Sequence, residues 1–276
     1  MKLELKLELK KIIIAVVCVY ILAYTLMVIY FYQNQREIIF NPKPRTSEEI
    51  RYFATEEDYS VMTYATQDAL ELTYLLREPD IGKPIIIFFN GNAATVESAH
   101  EALDSFVDQG YGAVINIYRG YGANSGEANE ENFFNDSQIV YNLIKSTFPQ
   151  HDIILWGYSL GSAVAVHLAS NNEIKALVIE SGLSSVRDIA KSRYPFLPVD
   201  LLLEDEFLST EYIQDVKASI LMIHGKKDDV VDIKYAEKLA KIKELKLLIY
   251  KNGNHSNLKS LGAYDDVLKW LDELKE

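Results

Sequence analysis

From Ile12 to Tyr32 the chain runs 21 residues without a charged side chain. As a helix rising 1.5 Å per residue, that run reaches about 30 Å, the thickness of a bilayer's hydrocarbon core. No periodicity leaves a wet face, as a surface helix would require. The apolar region of a signal peptide is shorter, about 7 to 15 residues, and closes on small side chains. Here the run closes on Val28-Ile29-Tyr30-Phe31-Tyr32, whose tyrosines suit a membrane interface. The pattern therefore predicts a retained transmembrane anchor at 12–32. It is preceded by a short basic tail at 1–11, helical or disordered, and followed by a polar tether at 33–57 that contains Asn41-Pro42-Lys43-Pro44.

Beyond the tether the pattern changes to that of a folded domain, 58–276. Val61–Thr66 and Leu70–Arg77 read as a hairpin around Gln67-Asp68, and Pro84–Asn90 is a continuous apolar strand of a sheet covered on both faces. Helix Thr95–Gln109, strand Ala113–Tyr118, helix Glu130–Phe148, strand Asp152–Trp156, a helix from Leu160 and strand Lys175–Ile179 follow in alternation. After an irregular stretch come strand Ala218–His224, helix Ile233–Lys241, strand Leu245–Tyr250 and a last helix, Leu258–Leu274. Strands alternating with helices imply a mostly parallel α/β sheet with helices on both faces, its ligand site at the strands' carboxyl ends.

Charge narrows the partners. Residues 33–276 carry 24 basic against 38 acidic side chains, net −14, which repels nucleic acid. The single cysteine, Cys18, lies in the predicted span, so no disulfide forms within the chain. Lys2, Lys6, Lys10 and Lys11 before the span slightly outnumber Arg36, Lys43 and Arg45 after it, which predicts a cytoplasmic N-terminus and an exported domain.

Gly157-Tyr158-Ser159-Leu160-Gly161 joins a predicted strand to a predicted helix, a G-x-S-x-G turn that exposes a nucleophilic serine. A serine hydroxyl needs a base and a group that orients the base. His255, in Gly253-Asn254-His255 after the last strand, is the base expected from the chain order serine, acid, histidine. His100 and His167 fall within helices, His151 precedes a strand, and His224 precedes the acid and reads as structural. The acid is Asp228, preferred to Asp229, with Asp232 slightly further on and Glu180 as an outsider. Backbone N–H groups of Leu160 and Asn92, the latter in the loop Asn90-Gly91-Asn92-Ala93, are the expected oxyanion donors. The Gly-rich Arg119–Gly126 lacks a phosphate-loop signature and reads as a turn on the rim of the site. No metal-ligand spacing is present, and no cofactor is expected.

Phe89-Asn90-Gly91-Asn92-Ala93, Tyr118-Arg119-Gly120-Tyr121-Gly122 with Ser125-Gly126, the Ser159 pentapeptide, Ile223-His224-Gly225 with Asp228 and Val231, and Gly253-Asn254-His255 together resemble the Bem46-like α/β-hydrolases, relatives of the ABHD12, ABHD13 and ABHD17 hydrolases. The resemblance covers about residues 38–276. It implies a serine hydrolase with Ser159, Asp228 and His255 as its triad, often behind an N-terminal anchor. Across such relatives the substrates include lysophospholipids, monoacylglycerols and palmitoyl thioesters. Asn90, where many have His, and Asn254, where many have Gly, depart from the pattern without removing a catalytic group.

Residues 182–215 occupy the place of a short cap, and Tyr194-Pro195-Phe196-Leu197-Pro198 with Leu201-Leu202-Leu203 is apolar enough to line an acyl pocket. The expectation is an acyl ester or thioester hydrolase working on a membrane-derived substrate. A peptidase of the same fold, or a silent receptor or scaffold, are the alternatives. Oligomeric state is not legible.

Overall fold

The computed structural model describes residues 2–93 and 95–274; Met1, at the end of the expected tail, and residues 275–276 of the expected domain lie outside them. One helix, α1 (Lys2–Phe40), takes in the predicted span and most of the tail. It is long and apolar enough to cross a membrane, and the strongly apolar part is unburied.

The expected tether at 33–57 is replaced by two built elements. Helix α1 continues unbroken to Phe40, whose ring is buried against Phe133 and Phe207 at centroid distances of 5.1 and 6.0 Å. After the Pro-containing turn, α2 (Ser47–Glu56) begins at a capping box in which Thr46 and Glu49 satisfy each other's backbone donors. It buries Ile50 and Ala54. The apolar triplet Ile38-Ile39-Phe40 and the Thr-x-x-Glu pair were the signals beneath the polar composition.

The domain is an eight-stranded sheet in the order β1-β2-β4-β3-β5-β6-β7-β8, formed by β1 (Ser60–Ala65), β2 (Glu71–Arg77), β3 (Ile85–Phe89), β4 (Gly112–Asn116), β5 (Ile153–Tyr158), β6 (Ala176–Glu180), β7 (Ser219–Gly225) and β8 (Lys246–Tyr250). Strand β2 is antiparallel to both its neighbours, and the pairs from β4 to β8 are parallel. Strands β3, β4 and β6 are buried at every position, and β3, all isoleucine and phenylalanine, is the one that reads as a continuous apolar run. The covering helices are α3 (Val96–Val107), α4 (Glu130–Thr147), α5 (Leu160–Asn171), α9 (Ile233–Ile242) and α10 (Ala263–Glu273). The predicted cap holds short helices α6 (Val186–Arg193), α7 (Val199–Leu202) and α8 (Ser209–Tyr212).

The last helix is shorter than expected. Gly262, at φ +82°, interrupts the run, so a 3-10 turn at Lys259–Leu261 precedes α10.

The Gly-rich loop owes its shape to Arg119. Its guanidinium is buried and donates to both Asp136 oxygens, at 2.6 and 2.7 Å, and to Asp68 in the hairpin turn at 2.9 and 3.2 Å. Burial of such a pair is tolerable because each charge is matched by geometry that satisfies its hydrogen bonds. The loop therefore clasps the first hairpin to α4.

Candidate active site

Ser159 sits between β5 and α5 at φ 52°, ψ −120°, a left-handed conformation that costs a non-glycine residue about 1–3 kcal/mol. The flanking glycines permit the turn. A Cβ on Gly157 would collide with the backbone of Gly161 and Ser162, and one on Gly161 would collide with the backbone of Phe89 and Asn90 at the end of β3. The serine is locked by its own backbone: its N–H donates to the Glu180 carbonyl at 2.9 Å, and its carbonyl accepts from the Ser162 N–H at 3.0 Å and hydroxyl at 2.6 Å.

The loops after β7 and β8 bring the other two groups together. They are pressed so close that a Cβ on Gly225 would lie 2.5 Å from the Gly253 carbonyl carbon, and the Lys227 N–H donates to the Gly253 carbonyl at 2.8 Å. His255 Nε2 lies 3.0 Å from Ser159 Oγ, and His255 Nδ1 lies 2.8 Å from Asp228 Oδ2. Asp228 Oδ1 accepts from the Val230 and Val231 amides at 3.0 and 2.8 Å. Burial pushes the Asp228 carboxyl upward, but the hydrogen bond and charge of His255, the Val231 amide and His224 outweigh it and hold it below its ordinary value. Tyr158 donates its hydroxyl to the His255 carbonyl at 3.1 Å and so fixes the loop rather than the ring.

Other expected residues fall elsewhere. Asp229 is exposed, and Asp232 caps α9 by accepting from the Lys234 N–H at 2.9 Å. His224 is fully buried and holds the acid loop, Nε2 lying 2.8 Å from the Val231 carbonyl. His167 stacks on Phe134, and His100 lies 3.0 Å from Glu57.

Glu180 is hydrogen-bonded to groups other than His255. Its carboxyl is buried beneath the site and accepts from Trp156 Nε1 at 3.1 Å and from the Tyr264 hydroxyl at 3.1 and 3.2 Å. Burial raises its pKa from 4.5 to about 7, although both donors pull the other way. Between those values the folded chain holds a proton that the unfolded chain has lost. This contribution to stability is complete below pH 4.5 and falls as pH rises towards about 7. Glu180→Gln is expected to flatten that fall, read as the difference between variant and wild type in urea midpoints at pH 5 and pH 7.5.

Leu160 opens α5, so its amide stands at a helix N-terminus. Leu160 and Asn92 line the same cleft as Ser159, a space of about 640 Å³. Leu183, Val186, Ile189 and Tyr194 of the cap form its apolar wall, and Ile38 and Ile39 of α1 complete it. The last turn of α1 also reaches the loop that carries Asn92. The Phe40 carbonyl accepts from the Ala93 N–H at 3.3 Å and from the Tyr121 hydroxyl. Sequence reading missed α1 as part of the site, although Ile38-Ile39-Phe40 stood out from a polar surrounding. Among the described residues no group of three or more His, Cys, Asp or Glu side chains is arranged to hold a metal ion.

The family model described as alpha/beta hydrolase fold matches residues 84–210, from β3 through the Ser159 turn into the cap. The chain has the α/β-hydrolase fold. The fold is similar to that of a Pyrococcus furiosus esterase, with a TM-score of 0.67 at 16% identity over 85% of this chain and 98% of that one. It is also similar to a Pyrococcus horikoshii acylaminoacyl peptidase, at 0.62 and 21%, over 78% of this chain and 41% of that one. Among curated proteins it is 33% identical over 178 residues to an uncharacterised protein of Mycobacterium tuberculosis, 63% of each chain. It is 28% identical over 176 residues to the lysophosphatidylserine lipase ABHD12 of Danio rerio, 56% of this chain and 46% of that protein. The chain thus spans between about half and two thirds of the length of these curated relatives.

Proposed function

We propose that this hydrolase is anchored in a membrane by α1 and cleaves acyl esters or thioesters through Ser159, His255 and Asp228. The observation that carries the proposal is the relay of 3.0 and 2.8 Å from Ser159 Oγ through His255 to Asp228, beneath an apolar cleft. His255 Nε2 takes the serine proton as Oγ attacks the acyl carbon, and Asp228 holds the imidazole tautomer and stabilises its charged form. The amides of Leu160 and Asn92 receive the developing oxyanion, each such donor contributing about 2.7–4 kcal/mol to the barrier difference. His255 then returns the proton to the departing alkoxide or thiolate, leaving an acyl group on Ser159. Water attacks that acyl-enzyme with the same imidazole as base.

The lipase named among the relatives and the wall of Ile38, Leu183, Val186 and Ile189 favour a lipid acyl group over a peptide. The slight excess of basic side chains before the span supports a cytoplasmic N-terminus and a domain on the exported side. The full chain in detergent micelles, assayed on acyl esters, acyl thioesters and peptide anilides, tests the reading. Ester or thioester turnover at least about 100-fold above anilide turnover is expected. Preferential anilide cleavage assigns a peptidase, and no turnover of any class by the folded chain favours a scaffold.

A further inference from the structure

The cap and α1 are joined well below the point where the uncharged run ends. Tyr24 donates its hydroxyl to the Phe196 carbonyl at 3.0 Å. Tyr24 lies eight residues before Tyr32, about 12 Å along the helix axis. The Phe31 ring packs against Tyr194 and Phe196 at 5.0 and 6.3 Å. One turn further on, Gln35 donates to the Leu202 carbonyl at 3.2 Å and accepts from the Glu204 N–H at 3.0 Å. If Ile12–Tyr32 spans the bilayer, the turn at Phe196 lies inside the hydrocarbon, and the half-exposed Phe196 and the 85%-exposed Leu201 face lipid rather than water.

A second space of about 490 Å³ lies between α1 and the cap. Its walls include Phe31, Ile38, Ile39, Ala190, Tyr194 and Leu197. Ile38, Ile39, Val186, Ala190 and Tyr194 also line the cleft at Ser159, so the two spaces lie side by side and share a wall. Phe31, Gln35 and Ile38 stand at i, i+4 and i+7, one stripe of the helix, which leads from the depth of the bilayer towards the nucleophile.

We infer that α1 is half of the acyl-binding groove: the chain of a membrane lipid enters sideways from the bilayer between α1 and the cap, with its carbonyl presented to Ser159. The inference rests on the acyl-hydrolase reading above. It gives the anchor a part in selecting substrate, because the outer chamber is built only where helix and cap meet. A long acyl chain gains the apolar contacts of both chambers, whereas a short one reaches only the inner cleft.

Ala190, shared by both chambers, is the place to close the passage. With the full chain in phosphatidylcholine vesicles, Ala190→Phe is expected to lower the ratio of kcat/KM for a palmitoyl ester to that for a butyryl ester of the same alcohol by at least about tenfold. A ratio within twofold of wild type overturns the groove. A wild-type protein that turns over neither ester overturns the hydrolase reading and the groove with it. A second measurement needs no variant. A hexadecyl fluorophosphonate bearing a terminal diazirine, attached to Ser159 of the wild-type protein and irradiated, is expected to crosslink within 24–39 or 190–203. Crosslinks confined to other parts of the domain, or none to protein, overturn the groove even where Ser159 is labelled.

Discussion

Ser159→Ala is expected to lower kcat on acyl esters by on the order of 10^6-fold while leaving the thermal midpoint within a few degrees of wild type. The size follows from the site's being a unit: without Oγ the imidazole has nothing to deprotonate, and only binding and the oxyanion amides still act. For the same reason His255→Ala should cost about as much, and the double variant little more. The stability expectation follows from the local structure. The turn is held by backbone hydrogen bonds and by the close approach of Gly157 and Gly161, none of which uses Oγ. Relief of no strain is expected either, because alanine at φ 52° suffers the same backbone clash as serine. Ester turnover under saturating substrate, beside a thermal melt, checks both parts. A loss below tenfold with the fold intact would remove Ser159 from the chemistry.

Asp228→Asn is expected to lower kcat by about 10^4-fold. The carboxylate accepts on both oxygens, from His255 Nδ1 at 2.8 Å on one and from the Val230 and Val231 amides on the other. An asparagine that keeps its carbonyl oxygen on the two amides must turn its NH2 towards His255. The ring then presents an unprotonated Nδ1 and carries its proton on Nε2, where it faces Ser159 Oγ and can no longer accept. Asp229→Asn supplies the control, because that side chain is exposed and lies outside the relay; its kcat should stay within about twofold of wild type. Equal losses in the two variants would contradict the assignment of the acid.

The alternation of strands and helices was legible because buried parallel strands have no polar face to confuse the pattern. Strands β3 and β6 are apolar at almost every position and were found within a residue or two of their ends. The Ser159 turn was legible for a different reason: the close approach of two backbones admits glycine alone, so the chemistry leaves a fixed spacing in the sequence. Chain order then singled out Asp228 and His255, and the structure brings all three side chains into one hydrogen-bonded row.

What could not be read was where α1 ends and what it touches. Gln33, Asn34, Gln35, Arg36 and Glu37 are polar, and composition alone makes them a linker. In the fold they meet the cap's own polar groups: Gln35 pairs with the backbone around Leu202 and Glu204, and Arg36 donates to Asp205 at 3.1 Å. These partners lie about 170 positions away along the chain, beyond any local pattern. The split of the last helix was missed because one glycine inside an amphipathic run is usually tolerated at a cost of about 1 kcal/mol. At Gly262 the chain uses its left-handed freedom instead.

In the proposed reaction Ser159 becomes covalently acylated. The most direct measurement is reaction of the full chain with a fluorophosphonate probe, followed by digestion and mass spectrometry of the modified peptide. One adduct per chain is expected, on Ser159, absent from Ser159→Ala and formed far more slowly in His255→Ala. An adduct on another residue, or equal labelling of the folded Ser159→Ala protein, would contradict it.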